Sequence, residues 1–203
     1  MAEQSQINHP APFKHIMLDL ETLGSRPGSV IVSIGAVAFD PHAGVLGPEF
    51  ERVIDPVSAQ ACGLRIDAST VVWWMGQGDA ARRKSFSPDA AQLPYAILDF
   101  TAWLKEVAPG QRRIWGHGAT FDPVLLDSAY HACRQPPPWG HRDARDTRTV
   151  FDLAGIGVSL EAYREPGDTL HDALADARAQ ARAVSDAYRK LGLSSAATET
   201  GEG

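Results

Sequence analysis

The chain has 203 residues, a formal net charge of −6 and 44% hydrophobic residues, a composition typical of a globular domain with a sizeable core. It contains no run of about 20 apolar residues that could cross a membrane, which argues against a membrane-spanning protein. The negative charge taken alone argues against a nucleic-acid partner, unless several of the acids bind cations.

The N-terminal segment is predicted to be a flexible lead-in over residues 1–12, because it is polar. The same segment lacks the apolar run of a signal peptide. The two cysteines, Cys62 and Cys133, fit no disulfide framework and no CxxC motif, so reduced thiols are expected. These features predict a cytoplasmic protein without membrane association.

The first half of the chain is predicted to form three strands and then helices. The strands are an apolar segment over residues 16–21, a Val- and Ile-rich segment over 29–39 and an alternating segment over 48–54. The turn sequence RPGS predicts that the first two pair as an antiparallel hairpin. Helices are predicted next over residues 69–77, capped by Ser69 or Thr70, and over 79–86 and 93–107.

The second half is predicted to alternate between strands and helices. RRIWGHG is a short strand that runs into a glycine turn, and a helix over residues 120–133 has Pro123 in its first turn. A fifth strand is expected over 143–151, a last helix over about 170–191, and a flexible tail over 193–203. This order predicts an α/β fold with a mixed five-stranded sheet and helices on both faces, in one domain of residues 13–192.

Two acids in the first strand indicate a chemical role. Asp19 and Glu21 are two residues apart, so both side chains point to the same face of the strand. Two carboxylates side by side on an apolar strand repel each other, which requires a cation between them or a protonated acid. The pattern alone does not choose between these two explanations.

Later acids are candidates to complete a cation site. Asp122 falls in the first turn of a helix, where the helix dipole also explains an acid. Asp176 lies at the border of the apolar stripe of the last helix, with Asp172 one turn earlier on the same face. Five residues turn a helix by about 500°, so His171 converges with Asp176 only from the frayed first turn or from the loop before it.

Taken together, this ordered set resembles the DEDDh, or DnaQ-like, 3′→5′ exonucleases of the RNase H-like superfamily. The motifs that carry the likeness are LDLETLG, GHGATFD and HDALADA, and the likeness covers most of residues 14–190. Two further stretches, TVVWWMGQGDAARRKSF and PPPWGHRDARDTRT, are similar to the phage and mycobacterial subgroup, some of whose members act on RNA. The resemblance implies an RNase H-like fold.

The resemblance also implies roles for the residues at the motif positions. Asp19, Glu21, Asp122 and Asp176 would hold two divalent cations, Mg²⁺ or Mn²⁺, with Asp19 shared between them. His171 would accept the proton of the attacking water. The implied activity is the release of 5′-mononucleotides from the 3′ ends of single-stranded RNA or DNA.

Substrate contacts are expected close to the catalytic strand. The resemblance implies that the backbone at Thr22 and the side chain of Leu23 lie against the terminal base. Phe121 and Trp74 are candidates to stack on bases, although core packing is the favoured explanation for both rings. Relatives often dimerise, so a homodimer is left open.

Three alternatives stay open at this point. An RNase H-type endonuclease needs the same acids on the same first strand. A nucleic-acid-binding module with a decayed site is disfavoured, because all five expected positions are filled. A purely structural α/β domain would leave the two acids of an apolar strand unexplained.

Overall fold

A mixed five-stranded sheet forms the centre of the protein in the computed structural model, which describes residues 12–157 and 159–194. The strands lie in the spatial order β3-β2-β1-β4-β5, where β1–β2 and β2–β3 pair antiparallel and β1–β4 and β4–β5 pair parallel. Their bounds are β1 His15–Thr22, β2 Ile31–Asp40, β3 Val45–Val53, β4 Arg113–Gly116 and β5 Ala144–Asp146. The predicted sheet and its antiparallel hairpin are therefore confirmed.

The helices pack on both faces of this sheet, as predicted, and α4 has its predicted bounds. Within the described ranges, none is long and apolar enough to cross a bilayer. In chain order they are α1 Pro56–Ala61, α2 Ala68–Met75, α3 Asp79–Ser85, α4 Leu93–Val107, α5 Asp122–Ala132, α6 Thr147–Ala154 and α7 Ala173–Lys190, with a short 3₁₀ turn at Glu161–Tyr163 before α7.

Three of the differences between the structure and the predicted elements are explained by aspartate caps, and the bounds of other elements shift by a few residues. The predicted strand over 143–151 was wrong beyond Asp146, whose side chain accepts from the backbone N–H of Arg148 and starts α6 instead. Helix α1 was not predicted, although Asp55 caps it and a proline follows. Asp67, rather than Ser69 or Thr70, caps α2.

The two ends that were predicted to be flexible fall almost wholly outside the described residues. These predictions concern the lead-in over residues 1–12 and the tail over 193–203.

The alternation of β1 separates two hydrophobic cores. Ile16, Leu18 and Leu20 belong to the core on the face covered by α4 and α5. Met17 belongs to the core on the other face, which α6 and α7 cover. Since side chains alternate along a strand, Asp19 and Glu21 continue the Met17 face and point towards α7.

Helix α7 approaches the sheet very closely at its first turn. A Cβ atom at Gly35 of β2 would lie 2.2 Å from the carbonyl carbon of Ala173 and 2.3 Å from the backbone nitrogen of Leu174. Alanines at many of the buried positions of α7 keep the rest of the contact short. The glycine thus sets the distance between the sheet and the residues that α7 presents to it.

Candidate active site

The acids of β1 lie where this strand faces the first half of α7. Asp19 pairs with Gly35 and Glu21 pairs with Ser33 across the β1–β2 ladder, so both acids lie on the α7 side. The side-chain amide of Gln180 donates to Asp19 Oδ1 over 2.7 Å. The prediction that the two carboxylates share one face is confirmed.

Asp122 reaches the same place from the first turn of α5. Its Oδ1 accepts from the backbone N–H of Leu20 (3.2 Å), and its Oδ2 accepts from that of His117 (3.1 Å). The residue is only 3% exposed. A Cβ atom at Gly116 would lie 3.0 Å from Asp122 Oδ2, so this glycine leaves room for the carboxylate. Asp122 is thereby fixed between β1 and the turn after β4.

Asp176 lies in the first turn of α7 and forms an ion pair with Arg164, from the segment before the helix. The Arg164 side chain is 13% exposed, and its Nη1 is buried without a hydrogen-bond partner among the described residues. Gln180 Oε1 is likewise buried without a hydrogen-bond partner in the described ranges. The acid cluster is therefore bordered by polar atoms that retain free hydrogen-bonding capacity.

His171 lies in the turn before α7, as its spacing from Asp176 predicted. Its φ of 61° is in the left-handed region, which a residue other than glycine occupies at a cost of about 1–3 kcal/mol. Its ring meets the edge of the Trp73 ring at a centroid distance of 4.8 Å. The next residue, Asp172, caps α7 and also contacts Lys84 Nζ at 3.3 Å, which anchors this turn to α3.

All five predicted site residues line two adjoining clefts that share Asp19 and Asp176. One cleft, of about 520 Å³, also contains Asp122, whereas the other also contains Glu21 and His171. In the second cleft, ligand atoms of Glu21, His171 and Asp176 lie within 4.8 Å of one another.

The electrostatics of the acids fit a divalent cation. Burial raises the pKa of Asp19 well above its usual value, and repulsion from Asp122 and the other acids raises it further. Burial, followed by repulsion from Asp176, raises the pKa of Glu21 to about 8. Burial also raises the pKa of Asp122 to about 7, although backbone N–H donors oppose this. Hard carboxylate oxygens that repel one another in this way suit a hard divalent cation.

Of the four residues expected to contact the substrate, two line the clefts and two are buried in the core. Thr22 and Phe121 line the clefts, so their predicted contacts remain open to test. Leu23 is 6% exposed and packs in the core, so its predicted contact with a base stays a prediction. Trp74 is 3% exposed and donates its ring N–H to the Thr22 carbonyl over 2.9 Å, which is the core packing that the sequence analysis favours for this ring. The exposed ring in the cleft is that of Trp73, at 44%.

Sequence reasoning also missed two polar neighbours of the acids. Gln180 follows Asp176 by four residues, so helical periodicity could have placed it on the same face. Arg164 lies in a segment without periodicity, and no signal in the sequence links it to Asp176.

Comparisons with known proteins agree with this geometry. The family described as the Rv2179c-like 3′-5′ exoribonuclease domain matches residues 14–188. An exodeoxyribonuclease of Enterobacteria phage T4 is 25% identical over 127 residues, which cover 55% of this chain and 53% of that protein. The match thus spans about half the length of the curated relative.

Solved structures share the fold at low sequence identity. The nuclease domain of 3′hExo, a DEDDh family member bound to rAMP, aligns with a TM-score of 0.60 and 11% identity over 89% of this chain and 94% of that one. An E. coli ExoI–ssDNA complex aligns with a TM-score of 0.66 and 14% identity over 90% of this chain and 42% of that one. At these identities the likeness establishes the RNase H-like fold.

Proposed function

Because this chain belongs to the family of Rv2179c-like 3′-5′ exoribonuclease domains, we propose that it is a 3′→5′ exonuclease that shortens single-stranded nucleic acid and releases 5′-mononucleotides. The observation that carries the proposal is the meeting of four acids and one histidine in adjoining clefts. These residues come from β1, α5, α7 and the turn before α7. Residues 13–192 would form the single catalytic domain.

RNA is the substrate favoured here. The family description that matches residues 14–188 names an exoribonuclease. DNA is the second candidate, because the phage T4 relative is an exodeoxyribonuclease. Single-stranded substrates fit a cleft bordered by the exposed ring of Trp73 and the partly buried ring of Phe121, since aromatic side chains stack on unpaired bases.

The acids would act as the cation ligands. Asp19, Glu21 and Asp176 would hold one ion, and Asp122 together with Asp19 would hold a second. When bound, divalent cations supply Lewis-acid activation of water and neutralise the charge that develops on the phosphodiester. Gln180 holds one oxygen of Asp19 in place through its hydrogen bond.

His171 would act as the general base. Its ring belongs to the same cleft as Glu21, so it can take the proton of a water molecule that attacks from that side. The left-handed turn and the edge of Trp73 limit where the ring can point. Asp176, five residues later, lies in the first turn of α7 and is held by the helix. The general base and the cation ligand are therefore positioned by different parts of the structure.

The proposal is tested with 5′-labelled single-stranded RNA and DNA of matched sequence, with and without Mg²⁺ or Mn²⁺. We expect stepwise shortening from the 3′ end, inhibition by a 3′-phosphate, and loss of activity in EDTA. Asp19→Asn should be nearly inactive, whereas the exposed Asp152→Asn should behave as wild type and serves as the matched control. Cleavage of a circular strand at a comparable rate would instead support an endonuclease.

A further inference from the structure

Arg148 is an arginine in the catalytic cleft whose side chain has no bonded partner in the described part of the chain. Its side chain lines the same cleft as Asp122 and Asp176. The Arg148 guanidinium forms no ion pair or hydrogen bond with any residue in 12–157 or 159–194. Arg164, the other arginine of this cleft, is in contrast paired with Asp176.

The local structure holds Arg148 in this place. It is the second residue of α6, and Asp146 accepts its backbone N–H over 3.1 Å. The preceding Thr147 is fully buried, and its Oγ1 lies 2.8 Å from Nδ1 of His117 in the turn after β4. The cap fixes the start of α6, and the contact between Thr147 and His117 holds it against the turn that leads into Asp122.

The guanidinium extends over the backbone of Gly118. Arg148 Nη1 lies 3.7 Å from the point that a Cβ atom on Gly118 would occupy, and this glycine has a φ of +116°. Burial raises the pKa of Asp122 and the positive charge of Arg148 opposes that rise, which agrees with a position close to that carboxylate. A planar guanidinium with free N–H donors, beside a cleft of acids, matches the charge and shape of a phosphate group.

Arg148 and His171 do not share a cleft, although both clefts include Asp19 and Asp176. His171 and Glu21 line one cleft, and Arg148 and Asp122 line the other. In an in-line displacement at phosphorus, the leaving oxygen departs on the side opposite the attacking water. If His171 activates the water from its own cleft, the leaving 3′ oxygen and the strand attached to it extend towards the adjoining cleft, which Arg148 lines.

From this arrangement we propose that Arg148 binds the penultimate phosphate of the strand, the one immediately 5′ of the phosphate that is cleaved. The proposal rests on the proposed exonuclease function and adds the residue that holds the retained strand while its terminal nucleotide is removed. Arg148 is a substrate-binding residue in this scheme, since it contacts the non-reacting phosphate.

The test combines a protein change with a substrate change. Arg148→Gln is compared with wild type on a 5′-labelled oligonucleotide that carries one uncharged methylphosphonate at the penultimate linkage, and the first cleavage is timed under subsaturating protein. We expect each change alone to slow cleavage by about tenfold, the usual size of a lost charged hydrogen bond, and the two together to slow it no further. Independent, multiplying effects would overturn the proposal.

Two controls test whether the effect is specific to Arg148 and to the penultimate phosphate. Arg142→Gln removes the same charge from an exposed arginine outside the cleft, and we expect near-wild-type rates. A methylphosphonate at the third linkage should show no such coupling with Arg148→Gln. Coupling at the third linkage in place of the penultimate one would overturn the assignment.

A binding measurement separates this proposal from the exonuclease activity itself. In an Asp19→Asn background with Mg²⁺, oligonucleotide affinity is measured against salt concentration. Arg148→Gln should reduce the slope of log K against log salt by about 0.7, the value for one phosphate contact on a single strand. An unchanged slope would refute the contact. A wild-type protein that shortens no strand would refute the proposed function, while this slope would still report on Arg148.

Discussion

Replacing Gly35 by alanine tests whether the approach of α7 to the sheet sets the geometry of the active site. The new Cβ would lie 2.2 Å from the carbonyl carbon of Ala173, 2.3 Å from the nitrogen of Leu174 and 2.4 Å from the oxygen of Ala173. All three are backbone atoms, so no side-chain rotation relieves the overlap. The first turn of α7 must therefore move away from β2.

The size of this movement follows from ordinary contact distances. Carbon atoms pack at about 3.5–4.0 Å, so the helix start must shift by roughly 1 Å even if the strand yields slightly. Asp176 lies in the displaced turn, and His171 lies two residues before the first residue of that turn, Ala173. Misplacement of reacting groups by about 1 Å can lower a rate about 10²-fold, whereas overpacking typically costs about 1–3 kcal/mol of the free energy of unfolding.

The assay follows single-turnover cleavage of 5′-labelled single-stranded RNA with Mg²⁺ at a temperature well below the measured unfolding midpoint of the variant. Gly35→Ala should lose activity by about two orders of magnitude while the protein remains folded. Gly110→Ala is the matched control, since a Cβ atom there would meet no atom within 4 Å. A Gly35→Ala rate within threefold of wild type, with unchanged thermal stability, would refute the reasoning.

Three further predictions concern the residues around the acids. His171→Ala should lower kcat by about 10²–10⁴, with little change in the Mn²⁺ affinity measured by calorimetry. Asp172→Ala should mainly lower the free energy of unfolding by about 1 kcal/mol, because the helix cap is lost. An inactive Asp172→Ala variant beside an active His171→Ala variant would reverse the assignment. Trp73→Ala should raise KM by about tenfold through a lost base stack, and Trp73→Phe should restore most of it, which a role in folding alone would not predict. Burial raises the pKa of Glu21 to about 8, so the folded metal-free protein binds this proton more tightly than the unfolded chain does. The melting temperature in EDTA should therefore fall as the pH rises from about 4.5 to 8, and Mg²⁺ should reduce this fall. A melting temperature that rises over that pH range would contradict the prediction.

The sequence predicted the local structure correctly where a single periodicity runs through a whole segment. The apolar spacing of residues 93–107 predicted α4 at its observed bounds. The alternation of β1 predicted that Asp19 and Glu21 share a face, because a strand fixes that relation without any partner. The spacing between His171 and Asp176 placed the histidine before α7, because a continuous helix would carry the two side chains apart.

The sequence predicted the local structure wrongly, or gave no prediction, where a helix cap or a packing contact outweighs the intrinsic preference of the residues for a strand or a helix. Thr147, Val150 and Phe151 favour a strand by composition, but the Asp146 cap starts a helix there. The order of Trp73 and Trp74 gives no hint that one is exposed in the cleft and the other is buried beneath Thr22. That difference depends on which face of α2 meets the sheet.

The sequence by itself determined the α/β class, the carboxylate pair on β1 and the ordered acids that resemble the exonuclease family, because each of these follows from residue type and spacing along the chain. Only the tertiary structure decided the pairing of Arg164 with Asp176, the free guanidinium of Arg148 over Gly118 and the exposure of Trp73 beside His171. These neighbours are brought together by the packing of separate segments against one another, including the 12-residue connection from Arg164 to Asp176. No spacing along the sequence encodes such contacts, so they require the folded structure.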